Sequence, residues 1–326
     1  MLCLLKMDLP PLGVFVLISA IHVISNKAVL TFEGFVYPAV FLRFFLSWQA
    51  LCAAISLARV VLRTRRQTRC TNQLLHGVLL ILPLITLYTY TGSKALAELP
   101  VPIFLSLQCA VPLFSWGIEA VLLQEEKGHQ RCLSQLSIFI MAIFSVASIL
   151  LSVPSPYSEG VSWMSVHVLA SVIVRLLEVN GVNQCVKANA PLRDLTYHCS
   201  VLILLTSTSL MAGDYFHVFH APHFSRPSFW LTFVASGASI AFLATRGSSP
   251  FESSLSRVFT AGLSFFLLKL PEDIPVEITI WMVLLFLCLL KLNWGPPKAR
   301  PVCPHDKFRS MAHRQNLSDC QFQAII

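Results

Sequence analysis

Between Pro11 and Trp294 the chain is a succession of apolar stretches, most of them near 20 residues long, divided by short polar joints. A bilayer core of roughly 30 Å is crossed by about 20 mostly apolar residues in a helix. Soluble and fibrous architectures rarely tolerate such a pattern. The expectation is an all-α polytopic membrane protein whose chemistry lies within the bilayer.

Composition supports this. Only 12% of the 326 residues are charged and mean hydropathy is +0.69, whereas average soluble domains carry about 25% charged residues. A net charge of +8 would suit nucleic acid, but the basic residues gather at span ends, where they set orientation. The bilayer is the expected partner, and nucleic acid is not. Of the ten cysteines, most sit in apolar stretches without paired spacing, such as Cys52, Cys109, Cys199 and Cys288. They read as small buried apolar groups. The first stretch has only Lys6 ahead of it and no clear small-x-small cleavage site, so it reads as an uncleaved span.

Ten spans are expected, over 11–31, 35–61, 74–93, 99–123, 135–153, 161–183, 194–212, 228–246, 250–270 and 276–294. Short joints imply antiparallel neighbours. Residues 1–294 then form a ten-helix domain with halves at about 1–153 and 154–294, and 295–326 form a polar tail. The basic residues are unevenly shared between the two sides. Lys6, the Arg59–Arg69 cluster, Lys127, Arg131, Lys187, Arg193, Arg246 and the six from Lys291 to Arg314 fall on the side of both termini. The opposite joints hold Lys94 and Arg226. Positive charge marks the cytosol, so both termini are expected there. The glycosylation-type triplet at Asn316 would then be cytosolic, a chance match.

Charges inside spans cost several kcal/mol unless they pair, snorkel or face a cavity. Lys269 sits near a span end and reads as snorkelling. Arg43 is divided between pairing and a cavity. Arg175 and Glu178, three apart, share a helical face and suit a structural ion pair. Lys27 and Arg257 have no acid at helical spacing and stand beside small polar groups, in Ser25-Asn26-Lys27 and Ser253-Ser254-Leu255-Ser256-Arg257. A cation flanked by amide and hydroxyl groups suits an anionic, sugar-bearing ligand. The alternative for either is a pair with Glu119 or Glu252 from another helix. His22, His76, His167 and His198 lie on separate spans without ligand spacing and read as bundle packing, not a metal site. Phosphate-loop, zinc-helix and nucleophile-elbow motifs are missing, so neither enzyme chemistry nor a cofactor is expected.

A faint repeat links Pro102-Ile103-Phe104-Leu105-Ser106-Leu107 to Pro250-Phe251-Glu252-Ser253-Ser254-Leu255. Pro, Ser and Leu recur at the same offsets, 148 residues apart, mapping span four onto span nine. Halves of five spans each must be oppositely oriented, because five is odd. Inverted repeats with a site at their junction are characteristic of secondary transporters.

The run Leu99-Pro100-Val101-Pro102-Ile103-Phe104 resembles the nucleotide-sugar transporters, solute carrier family 35 of the drug/metabolite transporter superfamily, and most of all the GDP-mannose carriers. The likeness extends to Asn26-Lys27, Gly117-Ile118-Glu119 and Arg257-Val258-Phe259-Thr260-Ala261-Gly262. It implies ten helices, a Golgi or endoplasmic-reticulum membrane, and antiport of a cytosolic nucleotide sugar against a lumenal nucleoside monophosphate. The motifs depart from the family in several places. The ninth-span Gly-Ala-Leu-Asn-Lys is Ser253-Ser254-Leu255-Ser256-Arg257 here, the seventh-span Phe-Tyr-Asn-Asn is Thr196-Tyr197-His198-Cys199, and the fourth-span Phe-Lys-Asn is Leu107-Gln108-Cys109. By resemblance Lys27 and Arg257 would neutralise phosphate, while Asn26, Gln108, Tyr197, His198, Ser254 and Ser256 would contact base or sugar. A non-transporting scaffold or trafficking adaptor derived from a carrier is the rival reading, and a carrier of small uncharged metabolites a third. A homodimer is left open.

Overall fold

A computed structural model describes residues 11–31, 38–64, 72–114, 117, 129–179, 190–213, 225–246, 250–267 and 274–293. Within them the chain is all helical, without a strand. The helices are α1 (Pro11–Leu30), α2 (Pro38–Thr64), α3 (Asn72–Glu98), α4 (Val101–Gln108), α5 (His129–Ser152), α6 (Ser158–Val179), α7 (Ala190–Met211), α8 (Pro227–Arg246), α9 (Pro250–Leu267) and α10 (Val276–Asn293). Each coincides with one of the stretches expected from the sequence. Among the described residues three are long and apolar enough by themselves to cross a membrane, over 12–30, 41–62 and 227–246. The tail, Glu119 and Lys269 lie outside the described residues, as do the side chains of Arg175, Glu178 and His76.

Proline sets many of the boundaries. Pro11, Pro38, Pro227 and Pro250 each open a helix, at the position where a missing N–H costs nothing and a fixed φ helps. Between α3 and α4 the pair Pro100 and Pro102 does two jobs. Pro100 disfavours helical geometry at Leu99, which ends α3, and Pro102 fits the first turn of α4. Beyond Gln108 the helix is interrupted at Cys109. The Cys109 N–H reaches back only three residues, to Ser106 O at 3.1 Å, and the helix resumes towards Phe114.

The chain turns by 106° between α5 and α6, across Pro154 and a short 3₁₀ turn at Ser155–Tyr157. This departs from the antiparallel hairpin expected of a short joint. The two helices find different partners, α5 packing on α10 and α6 on α3. The turn falls where the sequence repeat divides the chain.

The larger helix pairings follow one rule. The packing of α3 on α6 is matched by α8 on α1, five helices later and earlier respectively; α2 on α8 is matched by α7 on α3, and α1 on α9 by α6 on α4. The pairs α2–α7, α4–α9 and α5–α10 map onto themselves under the same shift. Smaller pairings, such as α2 with α3, do not all have counterparts.

Packing in lipid gains little from hydrophobicity between helices and rests on close fit and polar contacts. Two interfaces show this. Phe41 and Phe45 of α2 meet Phe229 and Phe233 of α8 with tilted rings, their centroids 5.7 Å apart in both the Phe41–Phe229 and the Phe45–Phe233 pair. One turn further, Gly237 admits the Trp48 ring, whose indole N–H donates to Phe233 O at 3.2 Å; a Cβ at Gly237 would stand 2.5 Å from that nitrogen. A second apolar cluster ties α4 to α5, α9 and α10 through residues such as Leu105, Ile149, Ala261 and Met282.

Candidate functional site

The C-terminus of α3 explains Lys27. Once Pro100 stops the helix, carbonyls of its last turn have no intrahelical donor. The Lys27 ammonium, on α1, donates to Leu96 O, Ala97 O and Leu99 O, each at 2.9 Å. An ammonium has three N–H groups, and all three are used. Positive charge is also favoured at a helix C-terminus. Lys27 therefore ties α1 to α3, and it lines neither polar cavity described below. This differs from the phosphate contact expected from its neighbours in sequence. Its potential acid partner Glu252 stands 3.8 Å from Arg246 instead.

One residue before Lys27, Asn26 enters a buried polar network joining α1, α2 and α8. Ser239 Oγ donates to Ser236 O at 2.8 Å. Its proton being committed, His22 Nδ1 must be the donor in the 3.0 Å contact with Ser239 Oγ. His22 Nε2 is then an acceptor and takes an N–H of Asn26 at 3.2 Å. Asn26 Oδ1 accepts from Gln49 Nε2 at 2.8 Å and from Ser236 Oγ at 2.6 Å, and the other N–H of Gln49 reaches Ser236 Oγ at 2.7 Å. Satisfied networks of this kind fix rotamers as well as adding stability. Ser25, by contrast, only donates to Ile21 O within its own helix.

Two cavities flank these groups. The larger, of about 430 Å³, is lined by His22, Asn26, Gln49, Tyr88, Thr89, Gly92, Phe104, Gln108, His167, Asp194, Tyr197 and His198, with apolar residues between them. His167 is seated on Gly92, where a Cβ would come within 2.6 Å of its Nδ1, and that nitrogen donates to Tyr88 O at 2.8 Å. The smaller, of about 250 Å³, is lined by Ser19 of α1, Gln108 of α4, and Ser253, Ser256, Arg257 and Thr260 of α9. Gln108 and Val23 line both cavities, which places them side by side with a shared wall. Together they form one polar space bounded by six or more helices, of a size that suits small-molecule sites.

The expected residues are thus partly gathered. Asn26, Gln108, Tyr197 and His198 meet in the larger cavity; Gln108, Ser256 and Arg257 meet in the smaller. Ser254 is buried outside both linings, and Ser256 donates to Ser253 O at 2.9 Å. Sequence reading missed Gln49, Asp194, Ser236 and Ser239. Gln49 stood out only as an amide within Ser47-Trp48-Gln49-Ala50, and an uncharged residue attracts less notice than a cation. Asp194 lies four residues before His198, a helical spacing that puts both on one face of α7. His22 and His167 are hydrogen-bonded packing residues, as expected, and they also face the cavity. No group of three or more metal-ligating side chains occurs among the described residues.

No family model matches the chain. A relative in Xenopus laevis, the UDP-N-acetylglucosamine transporter TMEM241 homolog, is 25% identical over 270 residues, covering 78% of this chain and 87% of the relative. Apolar helices of membrane-spanning length and a transporter relative together make the chain a multi-pass membrane protein. The likeness to the nucleotide-sugar transporters, carried in the sequence by a few motifs, is thereby shown across most of the chain.

Proposed function

We propose that the chain is an alternating-access antiporter that moves a nucleotide sugar from the cytosol into the Golgi or endoplasmic-reticulum lumen in exchange for a nucleoside monophosphate. The observation that carries this reading is the divided polar space. One chamber offers amides, phenols, imidazoles and the Asp194 carboxylate; the adjoining one offers a guanidinium among hydroxyls. A nucleotide sugar has that same division, with uncharged hydrogen-bonding ends around a charged phosphate centre. Arg257 would hold phosphate, with Ser256 and Thr260 beside it. Gln108 would span the join, and Asn26, Tyr197 and His198 would meet base or sugar. Lys27 acts as a positioning residue. The relative's name, a UDP-N-acetylglucosamine transporter, supports the substrate class.

Ten spans in two inverted halves are the architecture that goes with this activity. The five-helix shift in the packing pairs supports it, as does the pairing of α4 with α9, the spans that carry the sequence repeat. Rocking of one half on the other about that contact would expose the cavities alternately. Cytosolic termini follow from the distribution of basic residues.

Ligand binding to the folded protein raises its apparent stability by mass action, about 2.7 kcal/mol at a hundredfold excess over Kd. Purified protein in detergent is therefore expected to melt at a higher temperature with UDP-N-acetylglucosamine or GDP-mannose than with free sugar. Equal melting temperatures across a full nucleotide-sugar panel would contradict the reading and favour the scaffold.

A further inference from the structure

Lys27 ties α1 to the end of α3, and the elements of that tie recur in the second half of the chain. The offset of 148 residues that carries Pro102 to Pro250 also carries Glu98, the last residue of α3, to Arg246, the last of α8. It carries Lys27 on α1 to Arg175 on α6 as well. Each half therefore has a helix that stops shortly before a proline-led one, and a cation on its own first helix. Carbonyls in the last turn lack intrahelical donors wherever a helix stops. An acid stands at each of these ends, Glu98 at 3.4 Å from Lys94 and Glu252 at 3.8 Å from Arg246.

The two halves use these elements differently. In the first, α1 packs against both α3 and α4, and the Lys27 ammonium holds Leu96 O, Ala97 O and Leu99 O. Leu96 also lines the larger cavity, so the tie shuts the bundle directly beside the polar space. In the second half, α6 has no comparable packing on α8 or α9 among the described residues. Whereas α1 packs closely along α9, an apolar cavity of about 410 Å³ separates parts of α4, α5 and α6, with Leu107 and Ala110 on one wall and Met164 and Val168 on another. A molecule of two inverted halves can exchange their roles, and the exchange moves an opening from one membrane face to the other.

We propose that Lys27 and Arg175 are alternative latches of the transport cycle. The Lys27 tie shuts the α1–α3 end in the present conformation; in the opposite one Arg175 shuts the α6–α8 end by donating to the last carbonyls of α8. A guanidinium lacks the three-way grip of an ammonium, but its fork reaches two carbonyls. Each conformation holds one latch and releases the other, so the two oppose each other. This rests on the antiport reading above, and it adds which residues set the two conformations.

The test compares full-length wild type with Arg175→Met, Arg175→Lys, Glu178→Gln, Lys27→Met and the Lys27→Met/Arg175→Met double variant. Three quantities are read: melting temperature, affinity for UMP and GMP, and exchange of UDP-N-acetylglucosamine or GDP-mannose in proteoliposomes. Arg175→Met is expected to melt and to bind nucleotide like wild type, because the present conformation does not use its latch. Its exchange is expected to be about tenfold slower, the population shift produced by loss of one hydrogen bond to a charged group. Arg175→Lys is expected to restore exchange. The double variant is expected to exchange faster than either single one, since removing both latches removes the bias. Two structural or ligand-contacting residues would instead leave it no better than the slower single variant. Full exchange by Arg175→Met, or an equal fall in the melting temperatures of Arg175→Met and Glu178→Gln, as an ion pair between them would give, would overturn the latch and leave antiport intact. The Arg175 variants decide this even if Lys27→Met fails to fold. Absence of exchange in wild type would overturn both the latch and the function it rests on.

Discussion

Arg257→Ala is expected to lower nucleotide-sugar exchange by about 10- to 100-fold, the size of effect produced when a hydrogen bond to a charged partner is lost from a largely desolvated site. Arg257 is the cation of the smaller cavity, and on α9 it faces α4 across the join at Gln108. The loss should appear in both affinity and rate, because phosphate must be held throughout the crossing. Arg257→Lys keeps the charge and loses the planar fork, so it is expected to fall between the two. Radiolabelled exchange in proteoliposomes, with the amount of reconstituted protein matched, measures this directly. Full exchange by Arg257→Ala for every transported substrate would remove Arg257 from the site.

Lys27→Met has the second large expected effect, and of a different kind. Three charge-assisted hydrogen bonds at 2.9 Å disappear together, and three carbonyls at the end of α3 lose their donor inside the bundle. Even allowing for non-additivity, a destabilisation of about 3 kcal/mol is expected. The apparent melting temperature should drop by several degrees, while the protein that remains folded keeps its nucleotide affinity. Lys27→Arg should rescue poorly, since a flat fork does not direct three donors at three convergent carbonyls. If Lys27→Met melted like wild type and lost nucleotide binding, Lys27 would be the phosphate contact that its sequence neighbours suggest.

The contrast between these two cations shows what the sequence could convey. Helix positions were readable because apolar length and proline placement act locally: Pro11, Pro38, Pro227 and Pro250 each begin a helix as their chemistry favours. The place of Arg257 on a cavity wall was readable because Ser253, Ser256 and Thr260, which line that cavity with it, lie on its own helix. Lys27 was not, because its partners are backbone carbonyls about 70 residues away that become available only when Pro100 ends α3. Carbonyls leave no mark in a sequence. Gln49 escaped for a similar reason, since its importance comes from Asn26 and from Ser236 on α8, 187 residues away. The turn of 106° at Pro154 was also hidden, because a short joint limits the distance between helices and leaves their angle to the partners each one finds.

Exchange is the property that separates an antiporter from a scaffold, and it can be measured without altering the protein. Proteoliposomes holding the full chain would be loaded with UMP, GMP or no nucleotide and given labelled UDP-N-acetylglucosamine or GDP-mannose outside. The expected result is uptake of at least one nucleotide sugar, several times faster in vesicles loaded with the matching monophosphate than in empty ones. Uptake of every nucleotide sugar at the level of protein-free vesicles, whatever the internal nucleotide, would contradict it.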